Sequence, residues 1–147
     1  MIGRLSASGV VVAAMLVAVA PAPSWAQYNS FEDACAGETH EITVNYACGS
    51  FLAERKATGR KLAWGHANRG WARFMMVPAK GTNDYGPALA DFEAALKIDP
   101  KLAYPLYGRG MVRLRQGDVA RGNADIAAAT KAQPDIARQF EKPMKRP

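Results

Sequence analysis

The fold is decided by the stretch at 84–100, DYGPALADFEAALKIDP, which the chain repeats 34 residues later at 118–134 as DVARGNADIAAATKAQP. Seven of the 17 aligned positions are identical. Upstream, residues 61–73 match residues 101–113 at six of 13 positions, with a shift of 40. The change from 40 to 34 indicates a six-residue insertion around 77–83, whose proline and glycine predict a loop. Self-similarity of this period is typical of stacked repeat units.

Each unit is predicted to form two helices. In the second unit, apolar residues recur at helical spacing on both sides of a break at 116–118. Asp118, like Asp84 in the first unit, is placed to cap the second helix, because a carboxylate can accept hydrogen bonds from the free amides of a first turn. Pro100 and Pro134 then end the pairs, since proline lacks an amide and disfavours helix in the residue before it.

Further helices are predicted on both sides of the repeats. Ahead of them, an apolar stripe at helical spacing consists of Val44, Ala47, Cys48, Phe51 and Leu52. After them, Asp135 can cap a short helix in which Ile136 and Phe140 lie four apart on one face. Two repeats bury too little apolar surface alone, because each unit buries it against its neighbours. We therefore expect the flanking helices to cover both ends of the repeat pair.

Small residues recur at equivalent positions of the two units. A glycine lies midway along each first helix, a small residue opens each second helix, and a larger apolar residue and an alanine follow: Gly70, Gly110, Ala88, Gly122, Phe92, Ile126, Ala95 and Ala129. With the 34-residue period and the terminal proline, this pattern resembles the tetratricopeptide repeat (TPR) family. More narrowly, the stretches at 68–70, 90–92 and 96–100 resemble small exported repeat proteins of Gram-negative bacteria.

The resemblance covers residues 61–134 and implies an all-α fold. The expected architecture is a short α-solenoid of two TPR-like helix pairs, 61–100 and 101–134. A disulfide-tied N-terminal segment and helix at 27–60 would precede the pairs, and a capping helix with a basic tail at 135–147 would follow them.

Residues 1–26 have the layout of a secretory signal. Arg4 is the only charge ahead of an unbroken apolar run of 11 residues, and small residues lead to a cleavage site after Ala26. The alternative is a retained membrane anchor, but this run is well short of the roughly 20 residues that a spanning helix needs. We expect export, to the periplasm of a Gram-negative bacterium or to the medium, with no membrane span after cleavage.

Cys35 and Cys48 are the only cysteines, and they are expected to form one disulfide because the predicted compartment is oxidising. The alternative is a metal site made of Cys35, His40, Cys48 and His66. Those spacings match no compact Cys/His site and no haem-attachment motif.

A basic tail is the second feature that could bind a partner. Without residues 1–26 the chain has 18 basic and 13 acidic residues, and +3 of its net charge of +5 lies in the last 17 residues. Anionic lipid, lipopolysaccharide or another polyanion would attract such a tail. Nucleic acid would also do so, but export argues against nucleic acid as the target.

The resemblance implies that the first helix of each pair lines a concave, partner-binding face. At 100 degrees per residue, one stripe of the two first helices contains Trp64, Asn68, Trp71 and Met75, and then Tyr104, Tyr107, Met111 and Arg115. Such aromatic, methionine and arginine side chains are enriched at interfaces. The alternative is that they fill the space between the first helices. We expect Trp64 and Met111 in the core, and Tyr107 and Arg115 in the groove.

Two charge pairs recur together. Arg69 and Asp91 in the first unit correspond to Arg109 and Asp125 in the second, with one partner on each helix of a pair. Their co-repetition predicts two equivalent structural ion pairs, and the alternative is an anion-binding site.

Catalytic motifs are missing from the sequence. After residue 26 it has no glycine-rich phosphate loop, nucleophile elbow or paired-histidine metal motif. We therefore expect a non-catalytic adaptor or scaffold of the cell envelope, without cofactor, that binds a peptide or a helix on its concave face. The alternatives are a basic envelope protein that binds anionic lipid or a polyanion, and a metal protein or enzyme that uses the cysteines and histidines. The sequence does not specify the partner or the oligomeric state.

Overall fold

The repeated units fold into two helical hairpins in a computed structural model that describes residues 30–37, 40–79 and 83–145. The helices are α1 (Phe31–Ala36), α2 (Glu41–Ala53), α3 (Gly59–Ala79), α4 (Gly86–Ile98), α5 (Ala103–Arg115), α6 (Val119–Ala132) and α7 (Ile136–Gln139). No strand occurs in these ranges, so the described chain has the expected all-α class. The signal predicted at 1–26 lies outside the described residues.

Consecutive helices pack against one another from α1 to α6, and α7 packs against α5 and α6. The turn between α5 and α6 follows from its sequence. Gly117 has a φ of 83°, in the left-handed region that favours glycine. Its amide donates to the Leu114 carbonyl at 3.1 Å, and the Asp118 amide donates to the Arg113 carbonyl at 2.9 Å. The Asp118 carboxylate then accepts from the Arg121 amide, which confirms Asp118 as the cap of α6.

Two of the predicted caps are built differently. Helix α4 begins at Gly86, so the capping position falls on Tyr85, and Asp84 lies one residue earlier. The Asp84 carboxylate still accepts from the Gly86 amide at 3.0 Å and thus satisfies one free donor. Asp135 occupies the capping position of α7, but its carboxylate accepts from the Gln139 side chain at 2.8 Å instead of a backbone amide.

Helix α3 is longer than the sequence pattern predicts. It continues to Ala79, so the start of the insertion expected as a loop at 77–83 is helical. Val77 is buried, and this burial stabilises the extra turn. Pro78 lies in the last turn, where its missing amide removes only one helical hydrogen bond. Neither α3 nor any other helix in the described ranges is long and apolar enough to cross a membrane.

The N-terminal helices cover the first hairpin. Cys35 in α1 and Cys48 in α2 form the expected disulfide, which is worth about 3 kcal/mol in the chain-entropy model. Helix α2 packs in turn on α3, where the rings of Phe51 and Trp64 meet edge to face at 5.5 Å. This disulfide bears on the alternative metal site. Neither cysteine sulfur is available as a thiolate ligand, and the side chain of His40 is 71% exposed beside Glu41.

Candidate functional site

The first helices of the two hairpins, α3 and α5, pack side by side and form the face on which the groove was predicted. Trp64, Asn68 and Trp71 lie along α3, and Tyr104 and Tyr107 lie along α5. None of the five is on open surface. Trp64 and Asn68 are 0% exposed, Trp71 and Tyr104 are buried, and Tyr107 is partly buried. They are covered by residues 140–144, which follow α7 and are named the tail segment here.

Hydrogen bonds attach the main chain of the tail segment to this face. The Trp71 indole donates to the carbonyl of Phe140, the Tyr104 hydroxyl to that of Lys142 and the Trp64 indole to that of Met144, each at 2.7 Å. Burial raises the pKa of the Tyr104 hydroxyl well above its ordinary value, so this group stays a donor. The face therefore binds three main-chain carbonyls at alternate positions of one segment.

Asn68 forms hydrogen bonds with both main-chain polar groups of Met144 in the tail segment. Its amide nitrogen donates to the Met144 carbonyl at 3.0 Å, and its amide oxygen accepts from the Met144 amide at 2.6 Å. The same nitrogen also donates to the Cys35 carbonyl at 3.0 Å. Because carbonyls only accept and the Met144 amide only donates, the orientation of the Asn68 amide is determined. A fully buried polar side chain is thus satisfied only when the tail segment is in place.

Phe140 anchors the tail segment in an aromatic pocket. Its ring is centred 5.1 Å from that of Tyr104 and 5.3 Å from that of Tyr107. The rings of Phe74 and Phe92 lie at 5.8 and 6.0 Å. These separations are typical of favourable aromatic pairs.

Gly108 provides the space for this pocket. A Cβ atom at Gly108 would lie 2.4 Å from the Phe92 ring and 2.8 Å from the Phe140 ring. Both distances are far inside normal contact, so only glycine fits here without a shift of the rings. Gly108 is therefore part of the tail site, although it lies inside a helix where glycine is otherwise unfavourable.

The other three residues of the predicted groove are Met75, Met111 and Arg115. Met75 lies towards the end of α3 and is 42% exposed. Met111 packs partly buried against the core, as expected. Arg115 is exposed, donates to the Tyr85 hydroxyl at 3.3 Å and lies over the Phe74 ring at 5.6 Å. The predicted stripe thus contains five residues covered by the tail segment, Met111 packed against the core, and Met75 and Arg115 on the surface.

A cleft of about 520 Å³ remains open beside the tail segment. Trp64, Leu102 and Tyr104 form its apolar wall, and Arg60 and Lys145 are among the residues that line it. The tail segment itself forms one side of this cleft, through Lys142, Pro143 and Met144.

Asp91 is the centre of a charged cluster between α3 and α4. Arg69 binds it through two hydrogen bonds of 3.0 and 2.7 Å, and Arg73 adds a third of 2.8 Å. His66 lies 3.3 Å from the carboxylate. Burial by itself would raise the pKa of Asp91, but the hydrogen bonds from His66 and Arg69 and the charges of both arginines hold it below its ordinary value.

The second hairpin repeats this cluster around Asp125. Arg109 binds the carboxylate through two hydrogen bonds of 2.8 Å, and Arg113 adds a third of 2.6 Å. The hydrogen bond to Asp125 raises the pKa of Arg109, so the pair stays charged. The two predicted ion pairs, Arg69 with Asp91 and Arg109 with Asp125, are therefore present, and each joins the two helices of its hairpin.

Several residues of the charged clusters and of the tail site were not predicted from the sequence. Arg73 and Arg113 join the aspartate clusters, and their identity at equivalent repeat positions was a usable signal. Phe140 was expected to cover the second hairpin, but its insertion between both hairpins was not. No sequence signal indicated that Asn68 would clamp Met144, because 76 residues separate them.

Comparison with known proteins finds no matching family model, curated protein or solved structure for this chain.

Proposed function

We propose that this chain is an exported adaptor of the TPR type, a short α-solenoid that binds a peptide segment of another protein on the face formed by α3 and α5. One observation carries the proposal. Side chains of both first helices donate hydrogen bonds to the main-chain carbonyls of a bound segment, the tail segment, at three alternate positions.

This arrangement suits peptide recognition for a chemical reason. Main-chain carbonyls occur in every peptide, so Trp64, Trp71 and Tyr104 can hold a segment whatever its sequence. Selectivity then comes from the aromatic pocket around Phe140, because a large flat side chain gains most from burial there. Indole and phenol donors on rigid helices lose little conformational freedom on binding.

Export is supported by the chemistry of the N-terminal half. The disulfide between Cys35 and Cys48 is typical of proteins in oxidising compartments, and a secretory signal is predicted ahead of it. The proposed site of action is therefore the cell envelope or the medium.

A displayed peptide library tests the adaptor function. The chain without residues 1–26 carries a benzophenone photo-crosslinker in place of Tyr107, at the edge of the groove. A matched protein carries it in place of Val119, which is 57% exposed at the start of α6. Peptides selected by the unlabelled chain should crosslink to position 107 and not to position 119. Recovery of no binding peptide, or equal crosslinking at both positions, would reject the adaptor proposal.

The basic end of the chain supports a second candidate function. Arg138, Lys142 and Lys145 are exposed although the tail segment is held in the groove by its main chain. These cations could bind an anionic lipid surface or another polyanion. Vesicles containing anionic lipid should then retain the protein at low salt and release it at about 0.15 M, where the Debye length shortens to about 8 Å. Groove-bound peptides should remain bound at the higher salt.

A further inference from the structure

We infer, on the basis of the proposed adaptor function, that the partner segment is a non-helical peptide that reproduces the tail segment and displaces it. The segment would have an aromatic residue at its first position, an unbranched apolar residue at its fifth, and accessible carbonyls at positions one, three and five. The tail segment thus occupies the binding site of the partner within the same chain.

The hydrogen bonds dictate the conformation of the ligand. The carbonyls of Phe140, Lys142 and Met144 accept from side chains of α3 and α5. In a helical ligand most of these carbonyls would already accept from amides four residues later. The amide of Met144 must also be free to donate to Asn68. A peptide in an irregular or extended conformation satisfies all four groups, whereas an intact helix does not.

The side chains dictate the sequence of the ligand. Phe140 is enclosed by four aromatic rings above the space that Gly108 leaves. Met144 is partly buried against the core, where a flexible thioether fills an irregular gap. By contrast, Glu141 and Lys142 are exposed, so these two positions tolerate many side chains. The resulting pattern is one aromatic residue followed four positions later by methionine or a similar side chain.

Occupation by the tail segment makes binding competitive. Because the segment is attached, its effective concentration at the groove is on the order of millimolar. A free peptide at lower concentration therefore binds only the fraction of molecules whose tail segment is out, which weakens its apparent affinity by that fraction.

A labelled copy of the tail tests the inference. The probe is a fluorescein-labelled peptide of residues 138–145, RQFEKPMK, titrated by anisotropy into the chain without residues 1–26. Two variants weaken the attached tail segment. Phe140→Ala empties the aromatic pocket, and Met144→Pro removes the amide that donates to Asn68 together with the Met144 side chain. Glu141→Ala changes an exposed neighbour and is the matched control.

The two weakened variants should bind the probe at least about ten-fold more tightly than the wild type and Glu141→Ala, because more of their grooves are open. A probe with alanine in place of its phenylalanine should bind none of them. Far-UV circular dichroism of each variant establishes that its helices are intact. Met144→Pro keeps Phe140 in place, so it tests the inference even if Phe140→Ala unfolds.

Three results would overturn the inference. Probe binding by no folded variant would make the tail segment a permanent part of the core. Equal binding by the wild type and Met144→Pro would mean that the tail segment does not compete. Wild-type dimers that Phe140→Ala abolishes would make a second copy of the chain the occupant. If library peptides crosslink at position 107 but lack the aromatic spacing, only this inference fails, and the adaptor function survives.

Discussion

Replacement of Gly108 by alanine tests the packing on which the tail site depends. The added Cβ atom would lie 2.4 Å from the ring of Phe92 and 2.8 Å from the ring of Phe140. Phe92 is 0% exposed and Phe140 is 5% exposed, so neither ring has open space into which it can move. The methyl group must therefore displace at least one of them.

Two opposing contributions set the size of the effect. Alanine favours a helix interior over glycine by about 1 kcal/mol, which stabilises the variant. Overpacking of a filled core costs about 1–3 kcal/mol, and the upper end applies because carbon atoms prefer separations of about 3.5–4.0 Å. The net expectation for Gly108→Ala is a loss of about 2 kcal/mol in the free energy of unfolding.

Gly49→Ala is a matched control within the same chain. Gly49 lies inside α2, and a Cβ atom there would meet nothing within 4 Å. Only the preference of a helix interior for alanine over glycine remains, so the free energy of unfolding of Gly49→Ala should rise by about 1 kcal/mol. Urea unfolding followed by far-UV circular dichroism measures both changes. If Gly108→Ala proved as stable as Gly49→Ala, the close packing of Phe92 and Phe140 against Gly108 would be wrong.

Three further predictions concern the charged cluster around Asp91, the disulfide, and the hydrogen bond from Tyr104 to the tail segment. Asp91→Ala should lower the free energy of unfolding, measured in urea, by about 3 kcal/mol. This value is at the lower end of the range for a broken buried ion pair, because Arg69 and Arg73 keep some access to water. The folded state lowers the pKa of Asp91 below its unfolded value of about 3.9, so this stabilisation is present at neutral pH and is lost as pH falls through the folded pKa. The difference in melting temperature between wild type and Asp91→Asn should therefore begin to shrink only below about pH 4 and should continue to shrink as the pH falls further, and a difference that does not change with pH in this range would contradict this reasoning. Joint replacement of Cys35 and Cys48 by serine should cost about 3 kcal/mol, and a thiol assay should detect no free thiol in the wild type isolated from its native compartment. Tyr104→Phe should cost about 1 kcal/mol by removing the donor to Lys142 while keeping the ring, and unchanged stability would indicate that this hydrogen bond contributes nothing.

Much of the local structure was predictable because its causes are local. Apolar residues recur at helical spacing on both sides of Gly117, and the turn there needs only nearby backbone groups. Where a local rule failed, a neighbouring residue was the reason. The buried side chain of Val77 carries α3 past the expected loop, and the first turn of α4 places its cap at Tyr85 and not at Asp84.

The charged clusters were predictable in part. Repetition of Arg69 with Asp91 and of Arg109 with Asp125 was visible in the alignment of the two units, and each pair spans one hairpin. The position of His66 beside Asp91 depends on how the two helices of the first hairpin are rotated against each other. His66 has no counterpart in the second unit, so the sequence carries no signal for its contact with Asp91.

The sequence by itself determined the repeat, the helix content and the disulfide, because periodicity, turn residues and a single pair of cysteines act over short distances or leave one choice. Only the tertiary structure decided what lies on the predicted groove. Asn68 and Met144 are 76 residues apart, and their contact arises because the tail segment that follows α7 lies across α3 and α5. Main-chain carbonyls are the same at every residue, so no sequence pattern could have indicated which ones Trp64, Trp71 and Tyr104 would hold.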